Sequence, residues 1–266
     1  MDKAKIYMLY SSSKGNVAYI KYGQDEFLID CGVSAKMIET ALNQIGTGLK
    51  NISAIFITHE HSDHIKGLPT ITKYFGMPIY APANCCEYLL QNAPYCGYVN
   101  PLSSGDAVSL KDTAICPIVT PHDARGSVGF RIRAGEEKIG YFTDIGHLSE
   151  GVLRGLSGCR RVIIESNHDL DMLKNGSYPY SLKQRILSDM GHLSNESCAK
   201  LLPHLAAFGT ESFMLAHLSE ENNRPEVAFE ESLTALVTNG YRVNEDNTEG
   251  SLRLRVAPRS TLLELV

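Results

Sequence analysis

The 266-residue sequence has no excess of positive charge, because 30 aspartates and glutamates outnumber its 25 lysines and arginines. The formal net charge of -5 gives the chain as a whole no general attraction to nucleic acid or to an anionic membrane. Binding of a phosphate-containing ligand must therefore depend on a few local cations or on bound metal ions.

Three other features are missing, and each absence excludes a class of protein. The seven cysteines have no regular spacing and Cys85 adjoins Cys86, which excludes a disulfide framework and favours a reducing, cytoplasmic location. No apolar run approaches the length of a membrane span, so we expect no membrane partner. Because internal repeats and low-complexity linkers are missing too, we predict a single domain over residues 1–266.

The sequence does contain short apolar runs typical of strands, interleaved with helical patterns. Strand-like runs lie at residues 6–10, 17–21, 27–30, 52–57, 115–120, 128–133, 138–142, 162–165, 213–216 and 252–256. Ser34 is predicted to cap a helix whose apolar face consists of Met37, Ile38, Ala41, Leu42 and Ile45. Ser194 is predicted to cap another helix. The alternation predicts a protein of mixed sheet and helix.

A cluster of histidines directly follows the apolar run 52–57 and is the main clue to function. It comprises His59, His61, Asp63 and His64. Imidazole nitrogens suit zinc, iron and manganese, and carboxylates add affinity for hard ions. In an extended loop His59 and His61 alternate, so both are expected to point the same way, whereas the adjacent Asp63 and His64 are expected to diverge.

Three further candidate ligands each follow a predicted strand. His122 follows run 115–120, Asp144 follows run 138–142, and His217 follows run 213–216. Loops at strand ends are where such sheets hold their functional sites. With the cluster, the candidates number seven, which is too many for one tetrahedral ion and suits two ions that share a carboxylate.

The motif H-x-H-x-D-H, followed by a lone histidine, a lone aspartate and a final histidine, resembles the metallo-β-lactamase superfamily. Asp30-Cys31-Gly32 resembles the early acidic motif of that family. The resemblance implies an α/β fold of the αββα sandwich type and two divalent ions per chain, zinc or manganese or iron. The ligands implied for the first ion are His59, His61 and His122, those for the second are Asp63, His64 and His217, and Asp144 bridges both. Asp30 is expected to orient a ligand.

Two further segments resemble the phosphodiesterase and nuclease branch of the superfamily. They are Val162-Ile163-Ile164-Glu165-Ser166-Asn167 and Gly191-His192-Leu193-Ser194-Asn195. The resemblance implies that Glu165 positions His192, which contacts the scissile phosphate and protonates the departing oxygen or stabilises the developing charge. Asp63 would orient the attacking water and accept its proton.

The segments Ser11-Ser12-Ser13-Lys14-Gly15-Asn16 and Ala216-His217-Leu218-Ser219-Glu220-Glu221-Asn222-Asn223 resemble the compact WalJ/YycJ group of bacterial proteins. That resemblance implies a 5′ to 3′ exonuclease with a nucleic acid substrate, DNA being favoured. Two alternatives stay open: a small-molecule (cyclic) phosphodiesterase, and a non-catalytic regulatory protein that binds metal or nucleotide. Lys14, Arg125 and Arg224 lie near these motifs and are candidate phosphate contacts, although for any one of them a solvated surface cation is the default expectation. The oligomeric state is left open.

Overall fold

The computed structural model describes residues 3–93, 99–244, 250–260 and 262–265. The chain forms two compact units. Unit 1 comprises Met1–Pro117, Ala124–Val128 and Pro258–Val266, and unit 2 comprises Ile118–Asp123 and Gly129–Ala257. The prediction of a single domain over residues 1–266 stays a prediction.

Unit 1 is built on a seven-stranded sheet. Its strands are β1 (Lys5–Ser12), β2 (Gly15–Tyr22), β3 (Asp25–Ile29), β4 (Ala54–Phe56), β5 (Ile79–Pro82), β6 (Val99–Leu102) and β14 (Leu263–Glu264). Their order is β14-β1-β2-β3-β4-β5-β6. Strands β1, β2 and β3 pair antiparallel, and β3 to β6 pair parallel. The carboxyl ends of β3 and β4 therefore lie at the same edge of this sheet.

Four helices and one hairpin complete unit 1. The helices are α1 (Ala35–Gln44), α2 (Ser62–Ile65), α3 (Leu68–Tyr74) and α4 (Ala83–Asn92), with a 3-10 turn at Leu49–Asn51. Strand β7 (Val108–Ser109) pairs antiparallel with β8 (Thr113–Val119), whose last two residues belong to unit 2. Ile38, Leu28 and Ile55 belong to one continuous hydrophobic core.

Unit 2 contains a second run of strands. These are β9 (Val128–Ala134), β10 (Glu137–Phe142), β11 (Arg161–Glu165), β12 (Ser212–Ala216) and β13 (Arg253–Val256), in the order β13-β12-β11-β10-β9. Strand β9 is antiparallel to β10, whereas β10 to β13 run parallel. Strands β11 and β12 are buried along their whole length, as expected of parallel strands covered on both faces.

The helices of unit 2 are α5 (Glu150–Leu156), α6 (Leu170–Asn175), α7 (Tyr180–Ile186), α8 (Asn195–Ala207) and α9 (Pro225–Thr238). Leu202 of α8 and Phe213 of β12 share a core with Phe142. Among the helices that the structure describes, none combines the length and apolar character needed to cross a membrane.

The ten predicted strand runs are confirmed, with ends that differ by a few residues. Ser34 caps α1 by accepting a hydrogen bond from the backbone of Met37, and Ser194 caps α8 in the same way. Ile38, Ala41 and Leu42 are buried as predicted, but the placement of Met37 on the apolar face is wrong, since it is 43% exposed. Met37 lies at the edge of the buried stripe, about 100° around the helix from Ile38 and about 140° from Leu42.

Candidate functional site

In unit 1 the predicted histidine motif occupies the turn between β4 and α2. His59 lies in the connecting loop, His61 is the N-cap of α2, and Asp63 and His64 lie within α2. The ring centroid of His59 is 4.5 Å from that of His61 and 4.1 Å from that of His64. The prediction that His59 and His61 point to the same place is confirmed.

The prediction that Asp63 and His64 diverge is wrong. Oδ2 of Asp63 lies 3.3 Å from Nε2 of His64. The prediction assumed an extended loop, in which adjacent side chains point to opposite faces, but the helix begins at Ser62. In a helix adjacent residues are about 100° apart, so long side chains can converge.

The ring of His64 is fixed by partners on both nitrogens. Nδ1 lies 2.8 Å from Oδ2 of Asp30, and Nε2 lies 3.2 Å from the side-chain amide nitrogen of Asn16. An amide nitrogen only donates, so Nε2 accepts and Nδ1 donates to Asp30. Thr58 holds Asp30 through its backbone N–H, 2.8 Å from Oδ1. This is the contact that the predicted orienting role of Asp30 requires.

Gly32 allows the close approach that brings α2 to the end of β3. A Cβ at this position would lie 1.7 Å from the carbonyl oxygen of Asp63 and 2.4 Å from the backbone nitrogen of Asn16. The backbone N–H of Cys31 also donates to the carbonyl of His64 at 2.7 Å. Any larger residue at position 32 would displace Asp63 and His64.

In unit 2 the other three predicted ligands lie together. Nε2 of His217 is 3.3 Å from Oδ1 of Asp144, and Nε2 of His122 is 3.7 Å from the same oxygen. Nδ1 of His122 donates to the carbonyl of Gly191 at 3.0 Å, which turns Nε2 toward Asp144. Burial lowers the pKa of His122, which favours the neutral imidazole that a metal ligand needs.

Strained backbone marks the same positions. Among the described residues, the non-glycine residues with positive φ are Asp30, Asp144 and His217, at 62°, 58° and 57°. Each directly follows, or lies two residues beyond, the end of a strand. Such conformations cost of order 1–3 kcal/mol each and concentrate at functional sites. Aspartate and histidine are enriched among non-glycine residues with positive φ, but most of them have negative φ, so residue type alone did not predict these conformations.

Glu165 and His192 form a hydrogen-bonded pair beside these ligands. Nδ1 of His192 lies 2.8 Å from Oε1 of Glu165, and Oε2 accepts the backbone N–H groups of Ile145 and Leu193, both at 2.9 Å. Burial alone would lower the pKa of His192, but the charge and hydrogen bond of Glu165, with Asp144 and Asp123, raise it to about 9. The pair that the sequence predicted is present, and its catalytic role stays a prediction.

The unit 2 donors Asp144, Glu165, His192 and His217 each offer an atom within 4.8 Å of the others. Both oxygens of Glu165 already accept hydrogen bonds: Oε1 accepts from Nδ1 of His192, and Oε2 accepts from two backbone N–H groups. Metal binding by Glu165 would therefore break these hydrogen bonds. The chemistry of the donor set fits His122, Asp144 and His217 as ligands.

Sequence reasoning missed several polar residues that hold this group in place. Asn167 donates from its side-chain amide to the carbonyl of His217 at 2.9 Å. Asp123, whose Oδ1 is 3.5 Å from Nε2 of His122, forms a two-bond ion pair with Arg185. Only the position of Asp123 next to His122 could have drawn attention to it. The candidate phosphate contacts Lys14, Arg125 and Arg224 are all exposed.

Three further histidines, His147, His168 and His204, have no role predicted from the sequence. Nδ1 of His147 donates to the carbonyl of Asp189 at 2.9 Å, and His204 lies within α8. His168 is buried, and burial lowers its pKa to about 4, so this ring is neutral at physiological pH.

The chain is similar to known proteins over most of its length. Residues 25–218 match the family model described as "Beta-lactamase superfamily domain". The chain is 34% identical over 241 residues to exodeoxyribonuclease YycJ of Bacillus anthracis, covering 90% of this chain and 91% of that protein. It is 35% identical over 229 residues to exodeoxyribonuclease WalJ of Streptococcus pneumoniae serotype 2, covering 84% and 85%.

A solved structure shows the fold. The metallo-beta-lactamase fold protein YhfI from Bacillus subtilis has a TM-score of 0.73 and 15% identity, covering 99% of this chain and 100% of that chain. The predicted fold class, α/β of the αββα metallo-β-lactamase type, is confirmed.

Proposed function

The chain belongs to the beta-lactamase superfamily and is a metal-dependent hydrolase, and on this premise we propose that it is a 5′ to 3′ DNA exonuclease. The observation that carries the proposal is its identity of 34–35% to the exodeoxyribonucleases YycJ and WalJ over most of both chains. The paired Glu165 and His192 support phosphodiester cleavage, since a positioned imidazole is a common donor to a phosphate or a leaving oxygen. A cytoplasmic location, like the exonuclease activity, stays a prediction.

The proposal includes two divalent ions, zinc or manganese or iron. His59, His61 and His122 would bind one ion, Asp63, His64 and His217 the other, and Asp144 both. The donor chemistry supports this, because imidazole and carboxylate are the ligands these metals prefer. In each unit a histidine donates from Nδ1 to a buried acceptor, which leaves Nε2 as the electron-pair donor. Such ions supply Lewis acidity, which acidifies water and offsets negative charge on a phosphate.

In this proposal His192 acts as the proton donor of the site. Glu165 holds one proton on Nδ1, and in the metal-free protein its charge and hydrogen bond help to raise the pKa of His192 to about 9. A His192 that stays protonated beside the bound ions is part of the proposal. Nε2 has no hydrogen-bond partner among the described residues, and the side chain is 17% exposed. Its second N–H is thus available to a phosphate oxygen or to the departing 3′-oxygen. Asp63 orients the attacking water and accepts its proton.

The test is incubation of metal-loaded protein with 5′-phosphorylated DNA, matching RNA and bis(p-nitrophenyl) phosphate. We expect shortening of DNA from its 5′ end, with release of nucleotides that carry 5′-phosphates, because the 3′-oxygen is the leaving group. A protein with His192→Gln serves as the control for contaminating nuclease. Efficient hydrolysis of the small diester, with no shortening of DNA or RNA, would instead identify a small-molecule phosphodiesterase.

A further inference from the structure

A carboxylate inside the histidine motif of unit 1 joins three segments of the chain. Glu60, between His59 and His61, is only 8% exposed, and its Oε1 accepts the backbone N–H of Arg125 at 2.8 Å. Its Oε2 lies 3.0 Å from Sγ of Cys85 in α4. Burial and the neighbouring Glu60 raise the pKa of the Cys85 thiol, so the thiol keeps its proton and donates. The carboxylate therefore fixes Arg125 and α4 against the motif.

The side chain of Arg125 is held separately, by an aromatic ring. Cζ of its guanidinium lies 5.4 Å from the ring centroid of Tyr88. Tyr88 is three residues after Cys85 in α4, so the two share one side of the helix. Arg125 is exposed, and among the residues that the structure describes no carboxylate pairs with its guanidinium.

Arg125 is thus exposed and yet held at both its backbone and its side chain. Arginine normally loses much rotamer freedom when it binds, and a guanidinium already ordered by stacking loses less. Its planar N–H donors match the oxygens of a phosphate. Since the net charge of the chain is -5, a polyanionic substrate depends on such local cations.

We propose that Arg125 binds a backbone phosphate of a polynucleotide substrate beyond the cleaved bond, and that Tyr88 is the residue that positions its guanidinium. The proposal rests on the proposed function, because it needs a substrate with more than one phosphate. It assigns to Arg125 the discrimination between a polynucleotide and a small diester, which has no second phosphate to offer.

The test measures kcat and KM for a 5′-phosphorylated single-stranded oligonucleotide, and kcat/KM for bis(p-nitrophenyl) phosphate, with metal-loaded protein. Arg125→Ala should raise the oligonucleotide KM about tenfold, the usual loss for one hydrogen-bonded charge contact. The loss in kcat/KM should be at least fivefold larger for the oligonucleotide than for the small diester. Arg133→Ala, which removes an exposed arginine of β9, is the matched control for the change in net charge.

Salt dependence distinguishes a phosphate contact from a structural role. A lost contact to one phosphate of a single strand should reduce the slope of log KM against log salt concentration by about 0.7. Tyr88→Leu should raise KM by a smaller factor than Arg125→Ala. Tyr88→Phe keeps the aromatic ring and should therefore raise KM less than Tyr88→Leu.

Two failures have different meanings. If wild-type protein neither binds nor shortens oligonucleotides, the proposed function and this inference are both overturned. If wild-type protein shortens them and Arg125→Ala has the same KM and salt slope as Arg133→Ala, the exonuclease proposal survives and the phosphate contact at Arg125 is refuted.

Discussion

In each unit a buried carboxylate accepts a hydrogen bond from Nδ1 of a histidine, and the two pairs differ in the surroundings of the second ring nitrogen. In unit 1 Asp30 pairs with His64, and in unit 2 Glu165 pairs with His192, both at 2.8 Å from Nδ1. Both carboxylates lie at the end of a strand and accept backbone N–H groups. The pairs are therefore alike in construction.

Their surroundings give them different chemistry. The His64 side chain is fully buried, and its Nε2 lies near Asn16 and Asp63. The His192 side chain is 17% exposed, and its Nε2 has no hydrogen-bond partner among the described residues. The same carboxylate–imidazole pair thus occurs once with its far nitrogen among other polar side chains and once with that nitrogen free of hydrogen bonds to the described residues, and the proposed roles of metal ligand and proton donor follow this difference.

Metal removal should have the largest effect, because the proposed ions supply the Lewis acidity on which hydrolysis depends. Chelation should reduce hydrolysis to background, and added manganese or zinc should restore it. Elemental analysis of the loaded protein should give close to two ions per chain, with fewer in His61→Ala and in Asp144→Ala. One ion per chain after full reconstitution would contradict the two-ion proposal.

Replacement of the two paired histidines should separate their roles. His192→Ala should lower kcat by about 10²–10⁴, the range for a lost general acid, while metal content stays as in wild type. His64→Ala should lower metal content. Unchanged turnover of DNA in His192→Ala would mean that this histidine is structural, and loss of metal would identify it as a ligand.

Replacement of the two carboxylates should give smaller and equally distinct effects. Asp30→Asn should weaken metal affinity about 10–100-fold, because the residue orients His64 rather than binding metal. Glu165→Gln should leave metal affinity close to that of wild type and lower kcat. Metal affinity by competition with a chromogenic chelator, measured beside kcat for both variants, checks the contrast. Equal effects of the two variants on metal affinity would contradict the predicted difference between the two carboxylates.

The smallest expected effect is a pH dependence of stability in the metal-free protein. The pKa of His192 is raised to about 9 in the folded protein, against about 6.5 unfolded. The contribution of protonated His192 to the free energy of unfolding is therefore complete below about pH 6.5, and it is lost as pH rises through about 9. In urea unfolding, His192→Gln should destabilise the protein more at about pH 6 than at about pH 9.5. His147→Gln, at an exposed histidine that bonds a carbonyl, is the control; a pH-independent difference for His192→Gln would contradict the assignment.

The strands that carry candidate ligands could be predicted because their signal is local. Runs 115–120, 138–142 and 213–216 correspond to β8, β10 and β12, and His122, Asp144 and His217 follow them. Four strands were missed, namely β5, β6, β7 and β14. Two of these contain proline and two have only two residues, so their pairing with neighbouring strands, and not their own pattern, defines them.

The sequence by itself determined which residues are candidates for the site, because imidazoles and carboxylates placed after apolar runs end up at strand ends. The tertiary structure decided which contacts those residues make. Asp30 and His64 are 34 positions apart, and Glu60 and Arg125 are 65 apart, so only folding brings each pair into contact. The tertiary structure also determined that Asp63 and His64 converge, and that the backbone of Asp144 and His217 is strained. The physical reason is that hydrogen-bond partners and dihedral strain depend on groups distant in sequence, whereas strand and helix patterns depend on near neighbours.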